Sequence, residues 1–354
     1  MSNKKTLRWV IAHHPVELFK RTAELFKQEL EKECPNQFDV EIHSLGTYSN
    51  KYNKPELRLI PPAIKGLEHN EIRNTAFNEE VKVIKTEDFS EMKTKWNSYF
   101  NQLRSGDFEI TQTQVGIVGG FLDRNYHAID LPFLFKDHDH VSEVLDGQIG
   151  DEMGENLTKT GVRGLAFTYS GGYRVIGAKK GITALSDLSE LKLLTHTTHS
   201  NKLFDNVGAK TIKKDRATIE DVADLSESDS TAIETTYLRF AGKNVLNTQH
   251  SMFTTTILTG DKFWNTLSAE QKAAFKKIAK IVAKEERKWS LQDAAAYEAN
   301  AKANGVTITN INKSDLAKLQ ESAKKVYSNL KNIGMNQSLV DRIIEVGNKR
   351  TAIA

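Results

Sequence analysis

"SAEQKAAFKKIAKIVAKEERKWSLQDAAAYEANAKA", residues 268–303, contains neither proline nor glycine. Taken as one helix it is about 36 residues, or ~54 Å at 1.5 Å per residue. That is longer than one small lobe. Its apolar positions hold no clean heptad seam flanked by charge, so a coiled-coil arm is the poorer reading. A helix running along two lobes of one molecule is the better one.

The rest of the chain agrees. At 354 residues it exceeds one small core, and two lobes, or one domain with large additions, is the natural expectation. The 49 basic and 46 acidic residues nearly cancel, leaving +3, which argues against nucleic acid as a partner. The lone Cys34 excludes an internal disulfide and a cysteine-rich zinc site. No apolar run approaches the ~20 residues of a membrane helix. The start, "MSNKKTLRWVIAHH", lacks the apolar core of a signal peptide, so the chain reads as cytosolic or as a mature exported form.

"LRWVIAHH" reads as a buried strand with a polar end, "PVELFKRTAELFKQELEKE" as a helix and "FDVEIHSLG" as a strand, the opening of a βαβ layer. Residues 51–90 mix Pro, Asn and charge and read as an insertion, with "VKVIK" a possible small strand. "DFEITQTQVGIVGG" reads as a strand entering a Gly-rich turn, and "VRGLAFTYSGGYRVIGAKK" as two strand pieces with a Ser-Gly-Gly bend. Helices are expected near 200–206 and 217–225, and "TTT" at 254–256 reads as strand.

Several of these stretches, in order, resemble one family. "AIDLPFLFKDHDHVSEVLDGQIGDEM" is similar to the "DLPFLF" strand and following helix of the substrate-binding proteins of TRAP transporters, the DctP family. "VIAHHPVELFKRTAELFKQELEKE", "GLAFTYSGGYRVIGAKKGITALSDLSELKLL" and "FWNTLSAEQKAAFKKIAKIVAKEER" resemble further segments of that family. The likeness covers nearly the whole chain outside 51–90. It implies two α/β lobes of the periplasmic-binding-protein type, with hinge strands and one helix spanning both. Lobe I would take residues 1–168, completed by about 250–290; lobe II would take 169–249, completed by about 291–354. It also implies a periplasmic monomer that closes on a small organic acid and docks on a membrane permease, with no chemistry and no cofactor.

The resemblance nominates ligand contacts. Family members usually end "DLKGLKIR" with an arginine that pairs bidentately with the substrate carboxylate; here that position is Leu194, and Glu190 replaces the family glycine. Arg174, in "GGYRVIG", matches a second cleft arginine and could still hold an anion; otherwise it pairs with a neighbouring carboxylate. His196 and His199 follow Leu194 and could supply hydrogen bonds where the arginine is lost. His13 and His14 end the first strand, and strand alternation points at least one into the cleft. By the same alternation Gln112 and Gln114 share a face; they would bind ligand or satisfy loop backbone. Tyr169 and Tyr173 would give a flat wall with hydroxyls, or pack at a lobe edge. Glu234 and Thr235 match a diverged segment near the ligand. "KDHDHVS", 136–142, reads as a helix cap rather than a metal site.

No GxSxG elbow, P-loop, HExxH or GxGxxG follows a strand, so an enzyme reading, hydrolase or lyase, finds little support. The other alternative is a ligand sensor or partner-binding protein on the same fold, suggested by the insertion.

Overall fold

In Lys5–Ile11, Leu7, Trp9 and Ile11 join one apolar core while Val10 joins another, as expected of a strand covered on both faces. The computed structural model describes residues 4–12, 16–57, 89–178, 180–195, 197–213, 225–229, 244–328 and 330–353. Its strands are β1 (Lys5–Ile11), β2 (Phe38–Ser44), β3 (Ile110–Gln114), β4 (Val162–Ala178), β5 (Lys192–Thr195), β6 (Lys210–Lys213), β7 (Leu225–Asp229), β8 (Asn244–Asn247), β9 (Met252–Gly260) and β10 (Thr307–Asn310). They form one sheet in the order β2-β1-β3-β9-β4-β7-β5-β6, with β8 pairing β4 and β10 pairing β8. The first five make lobe I, where β2, β1 and β3 are parallel and β9 runs antiparallel between β3 and β4. β4 continues into lobe II, so one strand belongs to both.

The helices are α1 (Val16–Glu33), α2 (Leu45–Tyr52), α3 (Phe89–Ser105), α4 (Val115–Phe121), α5 (His138–Asp146), α6 (Gln148–Asn156), α7 (Thr198–Asp205), α8 (Asp261–Trp264), α9 (Ala269–Ala303), α10 (Lys313–Tyr327) and α11 (Gln337–Ile353). The long helix is α9, started by a capping box in which Ser268 and Gln271 exchange side-chain to backbone bonds. Its early turns bury Phe275, Ile278, Ala279, Val282 and Ala283 against α1 and the lobe I sheet. Phe275 meets Phe26, Phe38 and Phe263 with ring centroids 5.5, 5.4 and 5.8 Å away. Its last turn buries Ala301 with Val175, Val245 and Val306 in lobe II. The helix therefore spans both lobes, as its length demands.

Two buried ionisable groups fix its middle. Arg287 donates to the Phe167 carbonyl at 2.7 Å and pairs with Asp146 of α5. Glu286, fully buried, accepts from the Gln112 amide of β3 at 2.9 and 2.7 Å and from the Thr22 hydroxyl of α1 at 2.7 Å. Burial outweighs these bonds and lifts its carboxyl pKa to about 7.

Four expectations need correction. "VGIVGGF" is the helix α4 rather than a turn, because Gly119 admits a side chain from a neighbouring element. "DLPFLF" is not a strand: Arg124–Asp130 is a 3-10 helix and Phe133 has φ 55°. The Ser-Gly-Gly stretch does not break β4 in two; β4 keeps pairing with β9, with register shifts including one between Tyr169 and Tyr173. Finally, α10 packs in lobe II, but Leu339, Val340 and Ile343 of α11 join the lobe I core, so 291–354 does not complete lobe II alone. The 217–225 helix falls mostly, and "VKVIK" wholly, outside the described residues.

A close approach also explains a sequence feature. A Cβ on Gly164 of β4 would lie 2.7 Å from Gly154 Cα in α6 and 2.9 Å from the Tyr126 hydroxyl. Only glycine lets α6 sit this close to the strand.

Candidate functional site between the strand ends

In an open α/β sheet, loops after parallel strands separate where successive connections leave in opposite directions, and a crevice opens there. Each lobe has such a point. In lobe I, β1 lies between β2 and β3, so the crevice opens past Ile11 and Gln114. In lobe II, β5 lies between β7 and β6, so it opens past Thr195.

The two meet. His127, on the Arg124–Asp130 turn of lobe I, and His199, in the first turn of α7 in lobe II, have ring centroids 5.8 Å apart at 69°. The His127 ring lies flat on Gly119, where a Cβ would come within 2.7 Å of three ring atoms. Burial and the nearby Arg124 lower its pKa, which keeps the imidazole neutral. Its Nδ1 has no hydrogen-bond partner among the described residues. Beside it, the Asp130 carboxylate and the Gln114 amide border Gly116 at the start of α4. On the lobe II side the Thr197 hydroxyl accepts from Ser200 N at 3.1 Å, capping α7, and Asn201 donates to Thr195 at 3.1 Å. The buried hydroxyls of Thr113 and Ser170 likewise have no partner among the described residues. Buried polar atoms are nearly always satisfied, so each of these is a place where a solute or water group belongs.

Arg174 lies in the hinge strand, 3% exposed, its backbone N–H donating to Ser251 at 2.7 Å and its guanidinium over the Phe253 ring at 5.2 Å. Residues 80–332 match the family profile described as bacterial extracellular solute-binding protein, family 7, DctP. The chain belongs to that family.

Among curated relatives of this solute-binding protein, the C4-dicarboxylate-binding periplasmic protein DctP of Vibrio cholerae is 28% identical over 186 residues, 50% of this chain and 54% of that protein. The 2,3-diketo-L-gulonate-binding periplasmic protein YiaO of Escherichia coli is 32% identical over 75 residues, 21% of this chain and 23% of that protein. The match thus spans about half, or less, of these relatives' length. A TRAP periplasmic solute binding protein of Ochrobactrum anthropi, its C-terminus bound in the ligand binding pocket, superposes with TM-score 0.74 at 19% identity, covering 99% of this chain and 97% of that one. The sugar acid binding protein DctPAm of Advenella mimigardefordensis, in complex with galactonate, gives 0.73 at 18% identity and covers 98% of each chain. At these identities the likeness shows the fold, two α/β lobes.

The nominated residues of this DctP-family chain divide unevenly. Gln114 ends β3, Arg174 lies in the hinge strand, and His199 sits in the first turn of α7, after β5. Gln112 does not share the place of Gln114: its amide is committed to Glu286 and Thr255 beneath α9. Tyr169 and Tyr173 pack on one imidazole, His138, with centroids 5.2 and 5.0 Å away, and burial raises the Tyr169 pKa to about 12. Leu194 lies in β5, paired with Ile212 and Ser226. His13, His14, His196, Glu234 and Thr235 fall outside the described residues. In "KDHDHVS", Asp137 caps α5 through His140 N at 2.7 Å, and His140 meets the Ile343 carbonyl at 2.8 Å.

Sequence reasoning missed His127, Asp130, Thr113 and Ser170. The available signal was the polar pair at i and i+3 just before "LPF", which only strand order turns into a wall. Among the described residues, no helix is long and apolar enough to cross a membrane, and no group of three or more His, Cys, Asp or Glu is placed to hold a metal.

Proposed function

We propose that this protein captures a small organic acid in the crevice between its lobes, closes on it, and delivers it in the periplasm to the membrane subunits of a TRAP transporter. The observation that carries this reading is the meeting of two strand-end crevices, His127 against His199, with the His127 Nδ1 buried and without a hydrogen-bond partner among the described residues. Relatives named for C4-dicarboxylates and a galactonate-bound neighbour point to the ligand class. Arg174 is the proposed anion contact, with Gln114, Asp130 and His199 lining the pocket, and His13, His14, His196, Glu234 and Thr235 remain proposed contacts from sequence. Leu194, at the usual arginine position, favours a ligand with an apolar part. The protein acts as a monomer, binding and releasing its solute unchanged.

The test is thermal melting against dicarboxylates, sugar acids, amino acids and neutral sugars. A ligand at about 100 times its Kd adds ~2.7 kcal/mol to stability, a rise of a few degrees for a chain this size. A hit among carboxylates that Arg174→Ala abolishes supports the proposal. Hits only among neutral compounds overturn it.

A further inference from the structure

We propose that His127 and His199 form a neutral-imidazole latch between the lobes, so that acidification opens the crevice. This goes beyond the capture reading and shares only its crevice. The geometry is specific. The rings come from opposite lobes and touch edge to face. His127 cannot retreat, because its ring rests on the bare backbone of Gly119. The two imidazoles sit over the strand ends rather than at the hinge, where small rotations give the largest separations.

Charged groups lie on several packed elements: α11, against the turn carrying His127, brings Asp341, Arg342, Glu345, Lys349 and Arg350, β9 brings none, and β6 and α10, against α7, bring Lys210 and Lys213, and Lys313, Asp315, Lys318, Glu321, Lys324 and Lys325. The turn carrying His127 brings Arg124 and Asp130, α4 brings none, and α7 brings Lys202 and Asp205 in its later turns. Arg124 lowers the His127 pKa in the same direction as burial. Opening returns the ring to water and toward its ordinary value. A basic group with a lower pKa in the closed form favours closure above the open-form pKa and penalises it below. Protonating both rings would also place two cations in contact.

The experiment measures closure directly and needs no ligand. Spin labels at Lys159→Cys in lobe I and Lys324→Cys in lobe II, both exposed, report the interlobe distance. The short distance should dominate at pH 8. Its population relative to the long one should fall by up to about tenfold per pH unit for each ring that takes up a proton on opening, below the ordinary imidazole value of ~6.5. His127→Phe and His199→Phe, which keep a ring without a charge, should each flatten that dependence, and the double variant should abolish it. A distance distribution that ignores pH, one that closes on acidification, or the lack of a short distance at pH 8 overturns the latch. None of these results bears on ligand capture, which the melting panel decides separately.

Discussion

Replacing Glu286 with Gln tests the seam under the long helix. The wild-type carboxyl rises from 4.5 to about 7 because burial disfavours its charge more than Gln112 and Thr22 support it. At 1.36 kcal/mol per unit this is about 3 kcal/mol of linkage. The sign follows from the raised value. The neutral carboxyl stabilises the fold fully below about pH 4.5, and that contribution is lost as pH rises to about 7. Glutamine keeps a neutral acceptor for Gln112 and a donor for a neighbouring hydroxyl at every pH. Unfolding entropy near 2.1 cal/mol/K per residue makes 3 kcal/mol about 4 °C for 354 residues. Glu286→Gln should therefore gain on wild type by about 4 °C in Tm between pH 5 and pH 8, read by differential scanning calorimetry. The difference between the two proteins matters, since other carboxylates move both curves together. A constant offset across that range would refute the argument and mean that the carboxyl reaches solvent or stays ionised.

Gly164→Ala should cost about 1–3 kcal/mol in urea unfolding, because its Cβ would meet the Gly154 backbone, which cannot move aside, as well as the Tyr126 hydroxyl. Phe275→Ala empties the aromatic cluster between α9, α1 and β2 and should cost about 3–5 kcal/mol by the same measurement. Asp315→Ala removes the acceptor of the buried Leu185 N–H at 2.9 Å and should cost about 1–3 kcal/mol near neutral pH. The Leu185 N–H and Lys318 hold the Asp315 carboxyl below its usual range, so its contribution is lost as pH falls through that lowered value. The Tm gap between Asp315→Ala and wild type should then narrow in strong acid.

Local features were legible where one segment decided them. The uninterrupted run 268–303 announced α9 to within a residue, and "TTT" at 254–256 announced β9, because period and composition are local. The βαβ opening was legible for the same reason. The site was less so. Gln112 and Gln114 have the spacing of one strand face, but a carboxyl 172 to 174 residues away on α9, Glu286, claims the first of them. "GIVGG" looked like a turn because glycine is a poor helix former, whereas Gly119 is there for the ring of His127. His127 itself carried no motif. Its role follows from strand order, which is set by pairings between distant segments.

Among the described residues the chain crosses between the lobes four times, through β4, the stretch between β8 and β9, α9, and the return from α10 to α11. A single tether would let one lobe wander in every direction, so opposing side chains would rarely meet twice in the same way. Several flexures set side by side behave as a parallel-leaf spring: they yield to bending about their common axis and resist torsion and shear. A chain this heavily laced can therefore have a soft motion and a reproducible one at the same time.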